Sequence, residues 1–293
     1  MWWGNAMDVR SAGCIVVALP LSRGISGTQQ PYINGEKFMA FPAARLRVYL
    51  LAFTALLLLL QLAVVSAQGQ TQITTCGTFV TVPGEYVLAN DLTCSKYGII
   101  ITGVKDVVLK LNGHRIIGSS TPEGAAGIKV QSAAARIRIQ GPGVISNFTG
   151  KNSGGVLFFS TGLQEITAVT CTGNTTGFLV VGPARVHGNV ATSNVDGFVS
   201  MRGRTEISDN LATGNSQDGI VTTSFQGVDR IMHNTAAFNG RYGISAERGA
   251  MDNDIMSNTA LDNGAYDLFD GNRSCENTWV DNTFGISQGP CIH

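Results

Sequence analysis

Arg202, Arg204, Arg230, Arg241 and Arg248 lie in one stretch of the chain, with Glu247, Asp267 and Asp270 among or just after them. An arginine that neutralises a carboxylated sugar, beside a carboxylate that accepts a proton, suits β-elimination or epimerisation of a uronate. That chemistry needs Arg204, Arg230, Glu247 and Asp270 on one side of the folded chain. The same residues also fit a solvated turn region with weak surface pairs, and no motif joins them. Arg202, Arg204, Arg230, Glu247, Arg248, Asp267 and Asp270 are therefore read as a ligand groove, with no catalytic residue assigned.

Other reactive side chains give less. There are four histidines, and His114, in Leu111-Asn112-Gly113-His114, reads as a turn residue because a lone histidine is weak evidence for a ligand site. Copper takes clustered Met, His or Cys, whereas Met201, Met232, Met251 and Met256 are scattered. No metal and no cofactor is called for. Cys76 with Cys94 and Cys275 with Cys291 flank short loops near the two ends of the exported part, which suits local disulfides of about 3 kcal/mol each. Their spacing is not that of a zinc site. Cys171 reads as a buried free thiol. Asn147, Asn174 and Asn272 match the glycosylation sequon, as asparagine-rich turns do by chance.

A repeat positions all of these. Asn189, Asn210, Asn234, Asn258 and Asn282 recur at spacings of 21, 24, 24 and 24 residues. Ala191, Ala212, Ala236, Ala260 and then Phe284 follow two residues later. Asn194, Asn215, Asn239 and Asn263 come next, and then Gly197-Phe198, Gly219-Ile220 and Gly243-Ile244. A leucine-rich repeat would need a leucine ladder and helix-forming stretches, and neither is present. Short segments such as Phe178–Val181, Thr205–Ser208 and Ile220–Thr223 are strand-sized and end at Asn or Gly. The pattern predicts a parallel β-helix, a solenoid of three-strand coils stacked at about 4.8 Å. The asparagines are expected to form a structural ladder, each occupying a left-handed bend and bonding to its equivalent in the next coil.

The chain divides accordingly. Residues 98–293 form the β-helix, most regular over 171–284, and 68–97 form an N-terminal cap, with Pro83-Gly84 as a turn. Residues 39–67 carry Arg45 and Arg47, the apolar run 48–65, and Val65-Ser66-Ala67. That order is a secretory signal cleaved after Ala67, or a hydrophobic helix that anchors the protein if retained. Met39 is the expected start, and 1–38 reads as a disordered, non-native extension. Basic and acidic residues number 20 each, which argues against nucleic acid as a partner. Contact with a membrane is expected only through an uncleaved 48–65 segment.

Residues 76–94 (CGTFVTVPGEYVLANDLTC) and 106–118 (DVVLKLNGHRIIG) resemble the opening of secreted right-handed β-helix proteins of the pectin-lyase-like superfamily. The resemblance covers about 76–291 and implies an all-β, right-handed parallel β-helix. The superfamily includes polysaccharide lyases, glycoside hydrolases, alginate epimerases and a periplasmic copper-related maturation protein. The hydrolases' Asp-Asp with Gly-His-Gly, the epimerases' Asp-Pro-His-Asp and the lyases' Arg-x-x-Arg-x-Pro are all absent here. Sugar-acting members place their chemistry on the outer face of one sheet, where this chain is expected to present Leu179, Val181, Val199, Met201, Val221 and Thr223. The expectation is a secreted, extracellular or periplasmic β-helix without catalysis. It would bind extended polysaccharide or serve as a structural surface module. A polysaccharide lyase or uronate epimerase is the alternative, and a copper-related periplasmic protein comes last.

Overall fold

The computed structural model describes residues 69–293 except 133–135, 224, 226 and 227. The expected signal or anchor at 39–67 and the stretch 1–38 lie outside the described residues. Among the described residues every paired strand is parallel, and the strands form one seventeen-stranded and one ten-stranded sheet. No helix there is long and apolar enough to cross a membrane.

One turn of the solenoid shows the plan. Asp196–Met201 lies in the ten-stranded sheet, and Thr205–Ser208 and Leu211–Thr213 lie in the other. The next turn repeats the order with Ile220–Thr222, Arg230–Met232 and Thr235–Ala237. Alternation sends every second side chain inward, so stacked coils build interior columns. Phe178, Phe198, Ile220, Ile244 and Leu268 form one such column. The Phe178 and Phe198 rings stack with centroids 4.8 Å apart. Cys171, Ala191, Ala212, Ala236, Ala260 and Phe284 form another. Cys171 is a buried free thiol in this alanine column.

The asparagine ladder is present and is better connected than the spacing alone required. Asn234 is buried. Its Nδ2 donates to Asn258 Oδ1 and to the carbonyls of Ile207 and Met232, and its Oδ1 accepts from the backbone N–H and the Nδ2 of Asn210. A second ladder runs through Asn174, Asn194, Asn215, Asn239 and Asn263. The bend differs from expectation. The left-handed residue is not the asparagine but the one before it: Gly188, Asp209, His233, Ser257 and Asp281 precede the first ladder, and Gly173, Ser193, Gly214, Phe238 and Asp262 the second. The preceding residue turns the chain, and the asparagine then points inward to bond along the stack.

Gly177 shows why glycine follows Asn174, Asn194, Asn215 and Asn239 of the second ladder, whereas Asp267 takes that place after Asn263. A Cβ there would sit 2.6 Å from the Gly197 carbonyl oxygen and 3.1 Å from Asn194 Nδ2. The ladder amide and the next coil occupy the space a side chain would need.

At the start, Thr71–Ile73 pairs with Gly84–Leu88, and Thr78–Val80 with Tyr97–Thr102. The segment expected as a cap thus supplies strands in register with the coils. Both disulfides form, Cys76–Cys94 and Cys275–Cys291, with Cα atoms 5.6 and 5.4 Å apart.

Candidate functional site

The outer face of the ten-stranded sheet carries the expected apolar residues. Leu157, Leu179, Val199 and Val221 stand in one register column, continued by Ser245 and Phe269. Phe159 and Met201 near the strand ends, and Leu163, Phe225, Val228 and Met251 in the turns that follow, are exposed. Arg202, Arg204 and Arg248 project from the same turns and are exposed. Arg202, Gly203 and Arg204 are consecutive left-handed residues, with φ of 72°, 69° and 66°. An L-residue there costs about 1–2 kcal/mol, so two arginines are held in an unfavourable backbone to reach this edge.

The remaining groove residues separate. Arg230 lies on the seventeen-stranded sheet, where its Nε is 3.7 Å from Asp254 Oδ2. It belongs to an outward column of alternating sign: Arg138, Glu165, Arg185, Glu206, Arg230 and Asp254. Opposite charges facing each other across strands stabilise such a column.

Asp267 and Asp270 are both buried and terminate polar ladders. Asp267 accepts from the backbone N–H and Nδ2 of Asn263 and from the N–H groups of Gly285 and Ile286. Burial alone would raise its pKa, but these hydrogen bonds outweigh burial and hold the carboxyl below its ordinary range. Asp270 accepts from the N–H and Nδ2 of Asn272, from Asn277 Nδ2 and from Trp279 Nε1. Ladder amides donate toward the C-terminal end, where these two carboxyl groups receive them, whereas the first ladder ends at Asn282.

Glu247 joins a cluster not singled out in the sequence. Arg241 Nε and Nη2 donate to the two carboxylate oxygens of Asp218, and Nη2 lies 3.5 Å from Glu247 Oε1. Asp218 is fully buried and also accepts from the Tyr242 N–H. The Arg241 guanidinium lies 4.7 Å over the Tyr242 ring, which stacks on Phe269 at 4.2 Å. Burial and the neighbouring Asp218 and Glu247 push the half-buried Asp196 carboxyl up, against the Asp218 N–H and Arg241. Variable loop lengths hide this cluster in the sequence, because Asp218 and Arg241 meet only through the stacking of successive coils.

Of the sequons, Asn174 and Asn272 are buried and Asn147 is exposed. His114 Nδ1 is 3.3 Å from Asp91 Oδ1, in the turn expected for it.

Parallel coils with asparagine ladders and a long outer sheet face define the class as a parallel β-helix. Residues 70–293 match the family described as periplasmic copper-binding protein (NosD), and the chain belongs to that family. The family's periplasmic setting agrees with export from the cytoplasm. The chain is similar to two solved structures, the A-modules of the Azotobacter vinelandii mannuronan C-5 epimerases AlgE6 and AlgE4. Their TM-scores are 0.48 and 0.40 and their identities 16% and 17%; each covers 74% of this chain, and 68% and 69% of its own. No curated protein matches this chain.

Proposed function

We propose that the protein binds an extended, acidic polysaccharide along the outer face of the ten-stranded sheet, without cleaving or epimerising it. The observation that supports this best is the strained Arg202-Gly203-Arg204 turn beside the apolar column. Strain of this kind persists where the surrounding structure enforces it, and it clusters at ligand clamps. Apolar sugar faces would lie on the half-buried Leu179 and Val199, while the guanidiniums meet carboxylates by bidentate hydrogen bonds. Catalysis is disfavoured by how the acids are used. Asp267 and Asp270 are buried in structural hydrogen bonds, and Asp218 and Glu247 face Arg241.

Copper binding, carried by the family's description, does not fit the donors. Four cysteines are in disulfides and Cys171 is buried. His114 and His187 pair with Asp91 and Glu165, and His233, beside Met232, and His293 are exposed. Met232 and Met256 are register partners, but Met201 ends a strand of the other sheet and Met251 lies in a turn. Among the described residues no group of three or more His, Cys, Asp or Glu could hold a metal.

The test is binding to polygalacturonate and alginate, with ultraviolet absorbance monitored for unsaturated products. Binding that weakens with salt, without any rise in absorbance, is expected. Replacing Arg202 and Arg204 together by Ala should weaken it about tenfold or more. A rise in absorbance, or binding indifferent to the double replacement, overturns the reading.

A further inference from the structure

Arg241 interrupts the apolar track. Where neighbouring coils place Leu179, Val199 and Val221, this coil places Ser245, fully buried, with its Oγ 3.5 Å from Asp218 Oδ2. The pair itself stands at the strand's leading edge, where adjacent coils carry Thr176, Asp196, Tyr242 and Tyr266. A buried charge pair is weak evidence for stability, because desolvation offsets its attraction. What the pair does achieve is a fixed guanidinium. Asp218 holds its Nε and Nη2, and Tyr242 covers one face. The Arg241 side chain is still 43% exposed and that of Glu247 36%. A side chain locked in this way by supporting contacts is how a recognition group is pre-organised.

The sign of the site selects the ligand. Three carboxylates, Asp196, Asp218 and Glu247, surround one guanidinium, so the cluster is net negative and repels a uronate carboxylate. Hydroxyl groups suit it instead: Glu247 and Asp196 accept, Arg241 Nη1 donates, and Tyr266 and Phe269 supply half-exposed rings beside them. We infer that this coil is a subsite for a neutral sugar unit, held by a pair of adjacent hydroxyls. The arginine turn that takes the charged units follows the strand Asp196–Met201 of the same sheet, two coils earlier. This rests on the polysaccharide reading above and narrows it: the ligand is an acidic heteropolysaccharide with both neutral and uronate residues.

Three polymers test it on the intact protein: a neutral β-glucan, polygalacturonate, and an acidic heteropolysaccharide of the xanthan type. The heteropolysaccharide should bind most tightly. Glu247→Ala should weaken β-glucan and heteropolysaccharide binding about tenfold while leaving polygalacturonate binding unchanged or tighter. Glu247→Gln, which keeps an acceptor, should retain most β-glucan binding and controls for folding. Arg202→Ala with Arg204→Ala should show the opposite pattern. Equal loss on β-glucan and polygalacturonate for Glu247→Ala overturns the subsite, as does polygalacturonate binding with no β-glucan binding. If none of the three binds, the polysaccharide reading itself fails.

Discussion

Asn234 shows how much one side chain does in this fold. Its amide joins three coils through five hydrogen bonds, four of them fully buried. Removing it leaves buried donors and acceptors without partners, at about 1–3 kcal/mol for each group that finds no water. Asn234→Ala should therefore lower stability by about 3 kcal/mol or more in denaturant unfolding, without changing polymer affinity. An unchanged midpoint would refute the ladder's role.

The residue before each ladder asparagine carries a separate constraint. Phe238 has φ of 57° and is 65% exposed, so its ring contributes little packing while its backbone is strained. Phe238→Gly should stabilise by about 1 kcal/mol, and Phe238→Ala, which keeps the Cβ, should not. Thermal melts of the two variants check this.

Asp267 sets a pH response. Its folded pKa lies below the ordinary 3.8, so it contributes stability that is present above about pH 4 and lost as pH falls through the folded value. In Asp267→Asn the amide would face the N–H groups of Gly285 and Ile286 donor to donor. That variant should be less stable at pH 7 and lose part of the acid-induced decline, which melts from pH 2 to 7 would show.

At the scale of the strand, the outward column on the seventeen-stranded sheet is the most ordered charge pattern. Glu206 stands between Arg185 and Arg230. Glu206→Lys would place three cations in successive strands and should cost about 1 kcal/mol. Added salt should relieve much of that cost, because exposed charges are screened. A salt-independent loss would mean that packing is responsible. Strand positions were largely legible in the sequence: Thr205–Ser208 is a strand as expected, and Ile220–Thr222 ends one residue early. The alternating column was not. It arises from residues 20 to 27 positions apart, and loop lengths vary enough that only the register shows which ones face each other.

At the scale of the molecule, each coil rests on its neighbours, so stability is close to a sum of neighbouring interfaces. The two disulfides lie near opposite ends of the described chain. The buried Asp267 and Asp270 terminate two polar ladders near its C-terminal end, and Asn282 terminates the other. The column on the outer side of the ten-stranded sheet is apolar from Leu157 to Val221, buried at both of these residues and half-buried at Leu179 and Val199.

The sequence by itself determined the solenoid, the ladders, the alanine column with Cys171 and the two cysteine pairs. Each repeats at a nearly constant spacing, or closes a short loop, and so is fixed by local geometry. It placed Arg204, Arg230, Glu247 and Asp270 in one candidate groove by proximity along the chain. The tertiary structure decided their company: Arg230 with Asp254, Glu247 with Arg241 and the buried Asp218, and Asp270 at the end of a ladder. The physical reason is that side chains on a solenoid meet their neighbours across coils. A turn of variable length shifts those partners without disturbing the periodic interior.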